Sequence, residues 1–136
     1  MAEGAALQTG TKVEFVTKKA YDNKFNVPSL NTILLEYASK IGAPDISELR
    51  KKTGSTDFSS VTYRVPGACI RVKYVDRGVS SHSQGWLDLG KTERAKDTIL
   101  NGAKIIALTV NYIVNNPEQL TRIKDEFSNE RRIATL

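Results

Sequence analysis

The chain has 136 residues, 40% of them hydrophobic and only 7% aromatic, with a net charge of +5; this is the profile of one modest globular domain, not of a disordered or fibrous chain. The charge argues against a nucleic-acid partner because it is spread: residues 1–68 carry 9 basic and 7 acidic side chains, residues 69–136 carry 11 and 8, and the densest runs, Arg50 to Lys52 and Arg131 with Arg132, are short enough to be solvated faces. No apolar run approaches the roughly 18 residues of a membrane span, the start MAEGAALQTG lacks a basic stretch followed by an apolar one, and one cysteine cannot close an internal disulfide, so a cytoplasmic chain without a membrane partner is expected.

Ala2 to Leu7 reads as a helix end stopped at Gly10, and Lys12 to Val16 alternates as a strand does, with Val13 and Phe15 on one face. Ile33, Leu34, Tyr37, Ala38 and Ile41 then recur at helical spacing between the start signals Asn26, Pro28 and Ser29 and the stop signals Gly42 and Pro44. Residues 45–53 are polar and could form one short helical turn. A loop at Gly54 to Asp57 leads into two further alternations, Val61, Tyr63, Val65 and Ile70, Val72, Tyr74, separated by Pro66 and Gly67. These predict two strands joined by a tight turn. Cys69 falls inside the second, where a small buried hydrophobe is the plain reading.

Residues 76–90 are rich in Gly, Ser and Asp, hold the single histidine and the single tryptophan, and show no period; they read as a loop. The longest predicted helix starts near Thr92, with Ile99, Ala103, Ile106, Val110 and Ile113 on one stripe and Leu100, Ala107 and Val114 widening it. So wide a stripe predicts burial on more than one side. Asn115 and Asn116 end it, Pro117 opens a last helix with Leu120, Ile123 and Phe127 on one face, and a frayed tail is expected from about residue 130. The order predicts an α/β or α+β chain with about three strands. A sheet that small leaves edges open, which points to missing neighbours.

Little in the residues alone carries chemistry. A catalytic zinc takes three protein ligands and a water, and one histidine with one cysteine makes that hard to build. No G-x-S-x-G elbow supports a serine triad, and no Gly-Lys-Ser/Thr marks a phosphate loop. Two features stand out: Gly54, Ser55, Thr56 and Asp57, for which an Asx or Ser/Thr turn is the bland alternative, and His82 within Ser80, Ser81 and Ser83, for which a solvated surface residue is.

At these residues the sequence resembles a known family. The runs GAALQTGTKVEF, YDNKFNVPSLNTILLEYASKIG, GSTDFSSVTYRVPG, SHS and TERAKDTILNGAKIIALTVNYIVNNPEQLTRIKDEF resemble, in order and over nearly the whole chain, the C-terminal part of zinc-dependent amidohydrolases and dipeptidases of the p-aminobenzoyl-glutamate hydrolase and Xaa-Arg dipeptidase kind. The resemblance implies an α/β fold: residues 1–17 as the last helix and strand of a lid and dimerisation domain, 18–130 as the C-terminal half of a three-layer zinc-peptidase catalytic domain, and 131–136 as a frayed tail. It implies two zinc ions, with His82 as a metal ligand, and Gly54, Ser55 and Thr56 as a loop holding the carboxylate of a dipeptide or N-acyl amino acid substrate. The other ligands and the catalytic glutamate of such an enzyme have no counterpart here, so no catalytic residue is assigned. Two departures stand against the family pattern: Ser81 precedes the histidine where Asn is usual, and the strand Gly67 to Arg71 lacks a His-Pro. The expected chain is a fragment of the hydrolase, inactive alone; the alternative is a non-catalytic interaction module that forms a homo-oligomer or pairs with a full-length relative.

Overall fold

The computed structural model describes residues 1–18, 23–48 and 56–134, with side chains to residue 132. Where the sequence repeats apolar residues at helical spacing, helices form. α1 spans Ala2–Thr9 and ends at Gly10, whose φ of 66° lets its N–H turn back to the carbonyls of Ala6 and Leu7. α2 spans Pro28–Lys40, with Pro28 in the first turn and Ser29, Ile33, Leu34 and Ala38 buried. α3, Phe58–Thr62, and α4, Gln84–Leu89, are single short turns. α5 runs Glu93–Asn115 from a Thr92 cap whose hydroxyl accepts the Ala95 N–H. α6 spans Pro117–Ala134 and continues through the segment expected to fray.

The expected α/β three-layer architecture is overturned: among the described residues there are helices and no strand. Lys12 to Val16 forms no ladder, and Phe15 and Val16 are exposed. Val61 falls in α3, because the Ser59 hydroxyl bonds the Thr56 carbonyl (2.6 Å) and the Thr62 hydroxyl bonds the Ser59 carbonyl (2.7 Å), closing helical turns where a strand was expected. Residues 68–74 keep the alternation in their exposure, Ala68, Ile70, Val72 and Tyr74 half-buried and Cys69, Arg71 and Lys73 exposed, and buried Val75 breaks it, yet they pair with no strand among the described residues. The physical reason is shared: alternation decides which side chains face inward, but a strand exists only when a second one satisfies its N–H and C=O groups. Cys69, expected to be buried, lies on the outward phase and is exposed.

The core is a helical triad in which α2, α5 and α6 pack on one another. Phe25 and Val27 enter it from the chain before α2 and meet Ile33, Ile123 and Phe127; Leu34 and Ala38 meet Ile105 of α5, with Ile70 against them. Each such buried aliphatic or aromatic side chain contributes about 1.5–3 kcal/mol. Thr62 is fully buried, and its hydroxyl accepts the Phe25 N–H at 3.1 Å, so α3 is tied to the triad by a satisfied polar group. α5 buries Ile105 and Thr109 but leaves Ile99, Ile106, Val110 and Val114 exposed. The predicted burial on more than one side is not found among the described residues, which cover the Ile105 and Thr109 side and leave most of the predicted stripe exposed.

The first turn of α2 has no capping side chain at Val27. The Glu126 carboxylate of α6 takes that role, accepting the Ser29 N–H at 2.9 Å and the Ser29 hydroxyl at 2.7 Å, with Arg122 at 3.5 Å on its other oxygen. Partial burial pushes the carboxyl pKa up, but the Ser29 donors and Arg122 outweigh it and hold the group below its ordinary 4.5. A lowered folded-state pKa adds stability above the ordinary value and loses it as pH falls through the folded-state value. In urea unfolding at a series of pH values, the wild type therefore loses stability below about 4.5, and Glu126→Gln, less stable at neutral pH, loses less over the same fall.

Candidate functional site

The aperiodic segment before α5 is built around its aromatic residues. Tyr74, at the end of the extended 67–75 run, meets the edge of Trp86 with ring centroids 4.9 Å apart, and its hydroxyl donates to the Trp86 carbonyl at 3.1 Å. Gly85 lies close to Val79 on the same segment: a Cβ there would stand 3.2 Å from the Val79 side chain. The loop is moored to α5 at Asp76, which accepts from Arg94 at 2.8 Å; that hydrogen bond and the guanidinium charge hold the Asp76 carboxyl below its ordinary range. The Thr98 hydroxyl lies 3.5 Å from the Lys73 carbonyl, a second and weaker link.

Between Trp86 and the serine turn lies an open groove of about 520 Å³ lined by Tyr74, His82, Ser83, Gln84, Trp86 and Leu87. The turn is closed by the Ser83 hydroxyl, which donates to the Ser80 carbonyl at 2.7 Å. His82 itself is exposed and sits at φ 62°, a left-handed conformation uncommon outside glycine, in which Asn, Asp and His are enriched among other residues. An imidazole beside a tyrosine and a tryptophan can offer one nitrogen to a metal or one hydrogen bond to a polar ligand, with apolar area for its carbon skeleton.

Of the residues expected to form one site, Thr56 and His82 are described, and they do not line one groove. Gly54 and Ser55 lie outside the described residues. Thr56 does not line the His82 groove; its hydroxyl accepts the Phe58 N–H at 3.3 Å and its carbonyl accepts from Ser59, so it starts α3 as a Ser/Thr turn. Among the described residues no three His, Cys, Asp or Glu side chains converge as a metal site. Among themselves the described residues make no zinc centre, and no catalytic step through zinc is assigned to them. Tyr74 and Trp86, the groove's aromatic wall, were not singled out from the sequence; the one available signal was the single tryptophan inside an otherwise small and polar segment.

Comparison with known proteins adds a relation that the groove alone does not carry. The chain is 30% identical to the Xaa-Arg dipeptidase of Mus musculus over 128 residues and to that of Homo sapiens over 129. Each match takes in 90% of this chain and 29% of the relative, so the chain spans less than a third of the length of the curated relatives it matches. These matches support a relation to the dipeptidase family. No family model matches the chain, and no solved structure matches it.

The left-handed backbone at His82 gives the site its own test. His82→Gly keeps the turn, whereas His82→Val forces a β-branched side chain into that conformation, a strain of about 1–3 kcal/mol or more. Trp86 emission reports the outcome: it stays at the wild-type wavelength in the glycine variant and shifts toward that of solvent-exposed indole in the valine variant. Equal spectra in the two variants would contradict the turn.

Proposed function

We propose that this chain is the C-terminal portion of a metal-dependent hydrolase of amide or peptide bonds, a dipeptidase or N-acyl amino acid amidohydrolase, and that it is inactive as an isolated chain. The observation that carries the reading is the 30% identity to Xaa-Arg dipeptidases over 90% of this chain but only 29% of theirs. His82 lines an open groove beside Tyr74 and Trp86, a position from which its imidazole could serve a ligand. In this proposal His82 is the chain's own contribution to a zinc site completed by groups outside the described residues. Gly54, Ser55 and Thr56 would hold the substrate carboxylate through backbone N–H groups and hydroxyls, and the enzyme would work in the cytoplasm on a dipeptide or N-acyl amino acid.

Purified chain supplied with zinc is expected to hydrolyse neither an Xaa-Arg dipeptide nor an N-acyl amino acid faster than a His82→Ala control, and to lose its zinc on dialysis, because one imidazole is a weak site. Turnover above that control, or one equivalent of zinc retained by the wild type and lost from His82→Ala, would show a complete site within this chain and end the proposal of an inactive portion.

A further inference from the structure

A second cleft, of about 250 Å³, opens where α2 meets the end of α5 and the start of α6. Thr32 and Glu36 stand four residues apart on α2, and Gln119 and Arg122 three apart on α6, so each pair projects from one face of its helix. Tyr112 comes from α5, its ring held edge-on against Tyr37 with centroids 5.9 Å apart. Arg122 is steadied by the carboxylate that caps α2: its Nε stands 3.5 Å from Glu126, which leaves the two terminal amino groups of the guanidinium without a partner among the described residues. The side chains of Thr32, Glu36 and Gln119 and the Tyr112 hydroxyl have none among them either. Glu36 and Arg122 thus line one small space with opposite charges and do not pair with each other, leaving an acceptor-only group and a donor-only group both open to it.

We infer that this cleft binds a free α-amino acid, with the ligand's carboxylate on the Arg122 guanidinium and its ammonium on the Glu36 carboxylate. A guanidinium presents paired donors that match a carboxylate, and an ammonium has three donors to share between Glu36 and a neighbouring hydroxyl. A ligand of one charge leaves the opposite wall unanswered, whereas a dipolar one answers both. Size selects within that class: pockets for drug-sized ligands run from about 300 to 1,000 Å³, and this one is smaller. Pro28 and the Tyr112 ring supply apolar area for an aliphatic side chain. The cleft shares no residue with the His82 groove, so the inference stands apart from the functional reading above. Under that reading a free amino acid is what hydrolysis of a dipeptide releases, and the cleft is then a site that senses product.

The experiment is a titration of the full chain, labelled with nitrogen-15, with L-leucine, followed through its amide resonances. Saturable shifts at Glu36 and Gln119 are expected, with a Kd of about 1 mM. N-acetyl-L-leucine, which lacks the ammonium, and L-leucinamide, which lacks the carboxylate, should each bind at least about tenfold more weakly, the loss of one hydrogen-bonded charge. Glu36→Gln should bind leucine and N-acetyl-leucine alike while still preferring leucine to leucinamide. Arg122→Gln should show the reverse, and because Arg122 also touches Glu126, that variant is judged by its preference between ligands and not by affinity alone. His82→Ala should leave leucine binding as it is. No saturable shift up to about 50 mM leucine, wild-type preferences in both cleft variants, or shifts confined to the segment of His82 and Trp86 would each overturn the inference. Hydrolysis is read separately: loss of the proposed activity leaves this site standing, and absence of leucine binding removes the site and leaves the proposed activity untouched.

Discussion

The Glu126 carboxylate holds the fold at the point where it would otherwise be weakest. α2 begins at Pro28 without a capping side chain of its own, and its buried Ser29 would leave an N–H and a hydroxyl unsatisfied. Each such group costs about 1–3 kcal/mol when buried without a partner. Glu126 satisfies both from α6, adding a negative charge at a helix N-terminus where the backbone dipoles favour it. This joins residues 97 positions apart, and with the two ends fixed, Ile33, Ile123 and Phe127 meet in one cluster and α5 is enclosed on one side. The groove segment follows from α5 in turn, through Arg94 to Asp76.

What the sequence made legible was whatever depends on local spacing and caps. α1, α2, α5 and α6 were all visible, with Gly10, Pro28, Thr92 and Pro117 at the ends where the structure places them, because a helix satisfies its backbone within its own segment. The strands failed for the complementary reason. Residues 68–74 alternate inward and outward as the pattern requires, but the hydrogen-bonding partner is a property of another segment, and no local signal says whether it is present. Cys69 was lost with them: its neighbours are apolar in sequence, while its phase puts it beside Arg71 and Lys73 on the exposed side.

Of the groove residues, only His82 was singled out in the sequence. His82 does lie in a groove, yet its wall of Tyr74 and Trp86 depends on a contact between the end of one segment and the middle of another. Thr56 took the local alternative, a Ser/Thr turn at the start of α3. The apolar run from Ile99 to Val114 misled, because its width predicted burial on more than one side, whereas the described residues cover Ile105 and Thr109 and leave Ile99, Ile106, Val110 and Val114 exposed.

Among the described residues the chain is a helical triad carrying an extended segment without a strand partner, and hydrogen exchange of the isolated chain followed by mass spectrometry tests this most directly. Peptides from α2, the α5 stretch around Ile105 and Thr109, and α6 around Ile123 should exchange slowly and together, with the amides of 68–74 exchanging fast despite their half-buried side chains. Slow exchange across 68–74, at the level of the helices, would mean that those amides are paired in a sheet and would contradict the account.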